Sequence, residues 1–376
     1  MITKIRIHLK SLLAILDQAG KTVSTKTTLP ILQCILLRVE TDALAVSATD
    51  LEQYFSSHTT AVVDGEVCGV AVPFENLASF LKTCKGAPEA AIEIDTETQR
   101  VTVKVGRARA NIAGLKADEF PPCPEEGKTV LSLPAPTLKS AIGRTLPCVS
   151  SDIARAELNC LQLATIQGKT CLTGVDGIRL ATLVLDGALP KDTCMLLPRN
   201  AMKDLTALIP KEGTVELSAS KRAVLFAWEE VRFWVMLMEG KFPDWPGLIP
   251  QQFAHTVPLH AGELLAAVKT ASVFTDNAAV AVSLSPVGEE KLRISAGGND
   301  GSASVELDLI FPFEIAFNGQ FLAEGLELFG DGPVSLRLNG SKAPAVFQEG
   351  EFTFILMPVL IEHSAVKVEV EEEAVA

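Results

Sequence analysis

The chain has 376 residues, 48% of them hydrophobic and 21% charged, ordinary proportions for a globular protein of two or three domains. No apolar run is long enough to cross a bilayer, and the amphipathic opening carries Lys4, Arg6, Lys10 and Asp17, which rules out a membrane span and argues against a secretory leader. A formal charge of -13 speaks against a domain that grips phosphates by affinity.

In chain order, an apolar strand running into an amphipathic helix comes first at residues 7–12, and the pattern returns at 133–138 and 257–264. Leu12, Leu138 and Leu264 recur at a constant interval, and Leu16, Ile142 and Val268 follow them at i+4, one turn along the same face. A second helix recurs midway through each repeat, announced by Val72-Pro73-Phe74-Glu75, Leu197-Pro198-Arg199-Asn200 and Phe317-Asn318-Gly319-Gln320. Proline costs a first helical turn no hydrogen bond, and Asn318 suits an N-cap. The spacing predicts helices at 8–20, 73–85, 135–146, 198–209, 260–272 and 318–329. Alternating apolar runs at 35–39, 44–47, 101–105, 215–217, 292–295 and 334–338 read as half-buried strands. Phe120-Pro121 and Phe242-Pro243 mark the ends of the first two repeats, and Met357-Pro358 comes near the end of the third. The fold class is therefore α+β, three tandem domains each with two helices and antiparallel sheets, at 1–127, 128–252 and 253–361, followed by an acidic tail at 362–376. Linkers fall at the Pro-rich 121–128 and at 250–256.

Motifs for chemistry are sparse. Cys34, Cys68, Cys84, Cys123, Cys148, Cys160, Cys171 and Cys194 stand singly and read as reduced thiols. Gly127-Lys128-Thr129 ends like a phosphate-cradling loop, but Pro122 stands where that loop needs its first glycine. Gly297-Gly298-Asn299-Asp300-Gly301 lacks dinucleotide spacing and reads as a hairpin turn. His8, His58, His255, His260 and His363 form no HxxxH or HExxH pattern, so neither metal nor cofactor is expected. A nucleophile pair of Cys160 with His260, in an enzyme of a class without a legible motif, stays open as a competing reading.

Four groups of residues carry a resemblance. Thr28-Leu29-Pro30-Ile31-Leu32 with Ala48-Thr49-Asp50-Leu51-Glu52, then Val175-Asp176-Gly177-Ile178-Arg179-Leu180-Ala181, Gly240-Lys241-Phe242-Pro243-Asp244 and Leu356-Met357-Pro358-Val359 follow one another in a specific order. Together, over residues 1–361, they resemble the bacterial replicative sliding clamp family, the beta subunit of DNA polymerase III. The resemblance implies a non-catalytic processivity factor, cytoplasmic and nucleoid-associated. Two chains join head to tail as a homodimeric ring, helices inside and sheet outside, around double-stranded DNA. Its clients are DNA polymerase, clamp-loader subunits and other proteins with a clamp-binding motif, with no membrane involved. A ring holds DNA topologically, which removes the objection raised by the charge of -13.

By the same resemblance the partner-peptide pocket takes Val175, Gly177, Arg179, Leu180, Pro243, Leu248, Ile355, Leu356, Met357, Pro358 and Val359, with Ala343 and Ala345 on an adjoining strand. DNA contact falls to Lys26, Lys82, Lys139, Arg155, Arg199 and Lys203; the predicted helices sum to a small positive charge, with those of the third domain net acidic. The dimer is expected to close a strand at 100–112 of one chain on Val273, Phe274 and residues 300–308 of the other, with Arg107 and Arg109 facing Asp300, Glu306 and Asp308. Gly247 departs from a commonly basic family position, and Ala110 from a bulky one. A paralogue that binds client peptides without loading onto DNA is the alternative this leaves open. In the tail, Glu362, Glu369, Glu371, Glu372 and Glu373 outnumber Lys367, and the composition reads as disorder. Val366, Val368 and Val370 alternate, so as a strand the tail can lie across the pocket.

Overall fold

Among the described residues six helices form where apolar residues recur at i, i+3 and i+4: α1 (Leu9–Ala19), α2 (Phe74–Thr83), α3 (Ala135–Thr145), α4 (Arg199–Leu208), α5 (Ala261–Ala271) and α6 (Gly319–Glu327). The repeat is visible in what they bury. Leu12 and Leu16 of α1, Leu138 and Ile142 of α3, and Leu264 and Val268 of α5 occupy one equivalent face. Pro73, Pro134 and Pro198 each end a strand and hand it directly to the next helix, their fixed φ serving both elements. Asn318 caps α6, its side chain accepting from the Phe321 N–H at 3.0 Å.

This computed structural model describes residues 2–24, 26–84, 86–152, 154–274, 281–298 and 301–360, the Phe274 side chain excepted. The tail and Asp300 lie outside the described residues. The chain divides into two compact units, Met1–Asp176 with Leu183–Pro243, and Gly177–Thr182 with Asp244–Ala376.

In the first unit the first two repeats share one sheet. Nine strands run in the order Leu115–Lys116, Cys68–Pro73, Cys34–Val39, Ala43–Thr49, Gln53–Thr60, Val231–Met236, Ala223–Trp228, Thr214–Ala219 and Lys128–Pro134. The join is antiparallel, with Phe233 opposite Phe55 and Trp234 opposite Tyr54. Alternation sends Phe55, Phe226 and Phe233 into the main core, together with Ile35, Leu37 and the inner faces of α1 to α4. The intervening Leu36, Tyr54, Leu225 and Trp234 gather with Phe120 in a second cluster. There the Tyr54 ring stands edge-on to Trp234 at 5.6 Å and to Phe120 at 6.3 Å. Both faces being covered, strands such as Cys34–Val39 and Val231–Met236 read as nearly continuous apolar runs. A polar tie is added by Gln53, whose Nε2 donates to Asp204 of α4 at 2.8 Å.

The first unit also holds a five-stranded sheet in the order Val62–Asp64, Ile2–His8, Glu89–Asp95, Arg100–Val105 and Ala108–Ala113. Here the structure corrects the sequence reading. Residues 100–112 are not one strand but a hairpin turning at Gly106, whose φ of 58° favours glycine, so only Ala108–Ala113 reaches the sheet edge.

In the second unit α5 packs on α6, and two antiparallel sheets flank them. One contains Phe352–Leu356, Ala345–Glu349, Pro333–Leu338 and His255–His260; the other runs Gly301–Leu307, Lys291–Gly298, Ala281–Val287 and Ile315–Asn318. Gly298 pairs with Gly301 across the expected hairpin turn. Gly325 of α6 lies against the Phe354 ring so closely that a Cβ there would overlap it. Among the described residues all eight cysteines are free, and no helix is long and apolar enough to cross a membrane.

Phe233 is fully buried at the strand pair that fuses the first two repeats. Phe233→Ala is expected to cost about 3–5 kcal/mol in chemical denaturation. A loss below about 1 kcal/mol would mean that this join relaxes freely around the cavity.

Candidate functional site

The residues assigned to the peptide pocket separate by depth. Leu180, Ala345, Ile355 and Leu356 are buried at 3%, 0%, 5% and 0% exposure, and form the floor beneath a surface rather than the surface itself. Val175, buried, and Pro243, half-buried, belong to the first unit. Ala343 corrects the expectation of a strand position, since it sits in a turn with its N–H on the Gly340 carbonyl, ahead of Ala345–Glu349.

What remains outward is apolar. Met357 is 43% exposed, Val359 41% and Leu248 56%, and two residues that the motif reading passed over, Ile178 at 47% and Leu360 at 72%, join them. Ile178 lay inside a quoted motif and Leu360 just past another; an isoleucine beside an invertible glycine turn was the available signal. All five belong to the second unit, and outward apolar side chains of this size are candidates for contact with a partner. The backbone sets their positions. The Met357 N–H donates to the Ile178 carbonyl at 3.0 Å, and the Val359 N–H to the Ala316 carbonyl at 2.8 Å. Gly177 has φ of 95°, a left-handed turn that places Ile178 outward just before Arg179 goes inward. Leu248 ends the short 3-10 turn Pro246–Leu248, its backbone tied to buried Trp245. Val359 and Leu360 line a cleft of about 290 Å³ with Glu314, Ile315, Ala316, Ser341 and Lys342. Pro358 is half-buried between them and Met357.

Arg179 does not reach out for a ligand. Only 9% exposed, it binds Glu324 of α6 at 2.5 Å and lies 4.3 Å over the Phe321 ring, while Gln320 donates to the other Glu324 oxygen at 2.7 Å. A planar guanidinium suits this combination of fork and stack, and it pins the segment carrying Ile178 to α6.

A cavity of about 640 Å³ lies in the first unit among Leu51, Tyr54, Pro121, Cys123, Arg222 and Met236. It assembles no nucleophile with a base. Burial pushes the Cys160 thiol up to about 11. A thiol that stays protonated so far above neutrality is a poor nucleophile, which leaves the Cys160 reading without support.

The six basic residues expected to meet DNA all lie in the first unit. Lys26, Arg155 and Lys203 are exposed, whereas Arg199 is half-buried as the first residue of α4. Lys82 is bonded to Asp17 of α1 at 3.0 Å, and half-buried Lys139 donates to the Ile209 carbonyl at 3.4 Å. Helices α1 to α4 carry Lys10, Lys82, Lys139, Arg144, Arg199 and Lys203 against Asp17, Glu75 and Asp204; α5 and α6 carry Lys269 against Glu263, Glu324 and Glu327.

Two long strands stand at sheet edges. Ala108–Ala113 ends the five-stranded sheet and presents Arg109, with Arg107 in the preceding turn, and both arginines are exposed. Gly301–Leu307 ends a sheet of the second unit, with Asp308 just beyond it and Val273 69% exposed. Glu306 is already engaged inside its own sheet, 2.9 Å from Arg293 and 3.7 Å from Lys291. The Arg293 hydrogen bond holds its carboxyl below the usual range, so Glu306 is not a lone acid awaiting a partner's arginine.

Comparison with known proteins covers nearly the whole chain. Residues 3–124 match the family described as DNA polymerase III beta subunit, N-terminal domain, residues 132–244 its central domain and residues 247–359 its C-terminal domain. The beta sliding clamp of Vibrio cholerae is 27% identical over 95% of this chain and 99% of its own length, and that of Bacillus subtilis 26% over 86% and 90%. A Pseudomonas aeruginosa sliding clamp solved with griselimycin bound is similar in structure, with a TM-score of 0.86 and 25% identity over 96% of this chain and all of that one.

Removing Arg179 should strand Glu324 and loosen the segment that carries Ile178. Arg179→Ala is expected to cost about 2–4 kcal/mol, short of a fully buried pair because the Glu324 side chain is 35% exposed, and Glu324→Gln about 1–2 kcal/mol. Thermal unfolding of both variants measures this, and no loss in either would reduce the pair to a surface contact.

Proposed function

This chain belongs to the DNA polymerase III beta subunit family, and from that premise we propose how its parts work. It is a DNA sliding clamp, a tether without chemistry of its own, and we place its three tandem domains at 1–127, 128–252 and 253–361, where the family matches span 3–124, 132–244 and 247–359. The place of action is the cytoplasm, on the nucleoid. The observation that carries the reading is the pair of open edges, Ala108–Ala113 in the first unit and Gly301–Leu307 in the second. Such edges satisfy each other when the first unit of one copy meets the second unit of another, and two such junctions close a ring. Arg107 and Arg109 then approach a face carrying Val273 and Asp308.

Topology relaxes the demand on charge. A ring that encloses DNA needs weak contacts that let it slide, so a chain at -13 with only a modest excess of base on α1 to α4 is adequate. Exposed Lys26, Arg155 and Lys203 supply those contacts, with Arg199 partly available. Lys82 and Lys139, held by Asp17 and the Ile209 carbonyl, contribute less.

Client recognition belongs to the apolar surface around Met357. Met357, Val359, Leu248, Ile178 and Leu360 offer unbranched and branched side chains over a rigid floor of Leu180, Ile355 and Leu356. Methionine repacks around varied leucine and aromatic anchors, which suits a surface shared by many clients. Each peptide binds weakly, and ring and DNA add avidity.

Two measurements test this. Sedimentation at micromolar concentration should give a species of twice 40.1 kDa that stays on closed circular DNA and slips off linear DNA; a monomer, or equal retention on both, sinks the ring. Met357→Asp should abolish binding of a leucine- and aromatic-bearing peptide while the dimer persists. Normal peptide binding by that variant would move the pocket elsewhere.

A further inference from the structure

The cavity of about 640 Å³ in the first unit lies where the internal repeat puts a second copy of the elements around Met357. At the client surface a left-handed residue, Gly177, comes two positions before Arg179, and the Met357 N–H donates to the carbonyl of Ile178 between them. In the first unit the left-handed residue is Leu51, with φ of 77°, two positions before Gln53, and the Met236 N–H donates to the intervening Glu52 carbonyl at 2.8 Å. Arg179 turns inward to Glu324 of α6, and Gln53 turns inward to Asp204 of α4, at the same position along the helix. Ser341-Lys342 comes just before Ala345–Glu349, which pairs with the strand ending beside Met357. Ser220-Lys221 comes just before Ala223–Trp228, which pairs with the strand ending at Met236.

The two copies differ in what they offer. A leucine seldom adopts a positive φ, and here local bonds hold it there. The Leu51 N–H donates to the Thr49 hydroxyl at 3.0 Å, and the Glu52 and Gln53 N–H groups donate to one Asp50 oxygen at 3.0 and 2.9 Å. The result is a large apolar side chain, 53% exposed, fixed in the cavity wall, which Tyr54, Pro121 and Met236 continue. Lys342 of the second unit is matched by Lys221, but Arg222 stands in the turn where the client surface has Ala343. Lys221 and Arg222 are both exposed and form no ion pair among the described residues. Glu125 lines the cavity as well, which leaves its lining with an excess of positive charge on a chain at -13. The volume falls within the range of ligand pockets, about 300–1,000 Å³.

We infer that this cavity is a second peptide-docking groove, whose ligand is a short segment of a partner protein carrying a leucine or aromatic anchor beside acidic residues. The anchor packs on Leu51, Tyr54 and Met236, and the carboxylates meet Lys221 and Arg222. The kinship of the two sites rests on the reading of the surface around Met357 as the client pocket; the excess of base is what separates them. With Arg222 in place of an alanine, acidity is the property that sorts a peptide between the two sites. Exposed ion pairs are weak and screened by salt, so each contributes about 5-fold at most to that choice.

The experiment titrates two fluorescent peptides into the full-length protein at low salt. They share leucine and phenylalanine anchors and differ in carrying two aspartates or two asparagines beside them. Four proteins are compared: the unchanged chain, Met357→Asp, Lys221→Glu with Arg222→Glu, and all three substitutions together. The acidic peptide is expected to fill two sites on each unchanged chain, one after Met357→Asp, one after the paired charge reversal and none after all three. On Met357→Asp the remaining site should bind the asparagine peptide about 5-fold more weakly. Lys221 and Arg222 are exposed, so reversing them leaves the core intact. A single site that Met357→Asp removes overturns the groove and leaves the client pocket standing. A single site lost only on charge reversal supports the groove and overturns the client pocket. Binding that none of the substitutions touches, or no binding at all, overturns both. Equal affinity of the remaining site for the two peptides overturns the acidic ligand. Peptide binding that weakens as the Met357→Asp protein is concentrated, with assemblies larger than a dimer, seats a second copy in the cavity and overturns the assignment to a partner's peptide.

Discussion

An antiparallel sheet always ends in two strands whose outward N–H and C=O groups lack partners, and the way these ends are treated organises this protein. Most are blunted. The nine-stranded sheet ends in the two-residue Leu115–Lys116 and in Lys128–Pro134, which finishes on a proline; the five-stranded sheet has the three-residue Val62–Asp64 on one side. His255–His260 carries Pro258, and Ile315–Asn318 is covered in part by Val359. Ala108–Ala113 and Gly301–Leu307 alone remain long and free of proline among the described edges. Open edges of that kind are an aggregation hazard unless they are paired, and closure into a ring is one way to pair such edges.

Rigidity comes from burying a sheet on both faces. At the junction of Gln53–Thr60 with Val231–Met236, Phe55 and Phe233 face one core while Tyr54 and Trp234 face another. Neither repeat can tilt against the other there without opening two apolar clusters at once. The repeats are thus alike in sequence pattern yet unequal in the fold, because the first two share a sheet within one compact unit and the third belongs mainly to the other.

Charge is spent mostly at home. Lys82 with Asp17, Lys269 with Glu327, Glu306 with Arg293 and Lys291, and Arg179 with Glu324 all satisfy one another inside the chain. Exposed pairs of this sort add little stability, but they also reduce the charge free to hold phosphate. Contact with DNA and exposed apolar side chains are therefore compatible on one acidic molecule. Arg179 differs from the rest, being buried and stacked, and it holds the segment that carries exposed Ile178 against α6.

Helix and strand placement was legible in the sequence because period and punctuation are local properties. The i, i+4 repeats at Leu12, Leu138 and Leu264, the prolines at Pro73 and Pro198 and the cap at Asn318 each act within one turn of chain. The motifs around Gly177 and Met357 lie far apart in sequence, and the fold joins them through the Met357 N–H on the Ile178 carbonyl. Burial was not legible. Leu180, Ile355 and Leu356 look no different in sequence from Ile178, Met357 and Leu360, and only packing decides that the first three form a floor and the others a face. Nor could charge alone foretell that Arg179 would turn inward to Glu324, or that Glu306 would find Arg293 on the neighbouring strand, since these partners meet through tertiary structure. The hairpin at Gly106 was hidden for a related reason: a one-residue difference in where a strand turns sets which strand owns the edge, and that is decided by pairing across the sheet rather than by alternation along it.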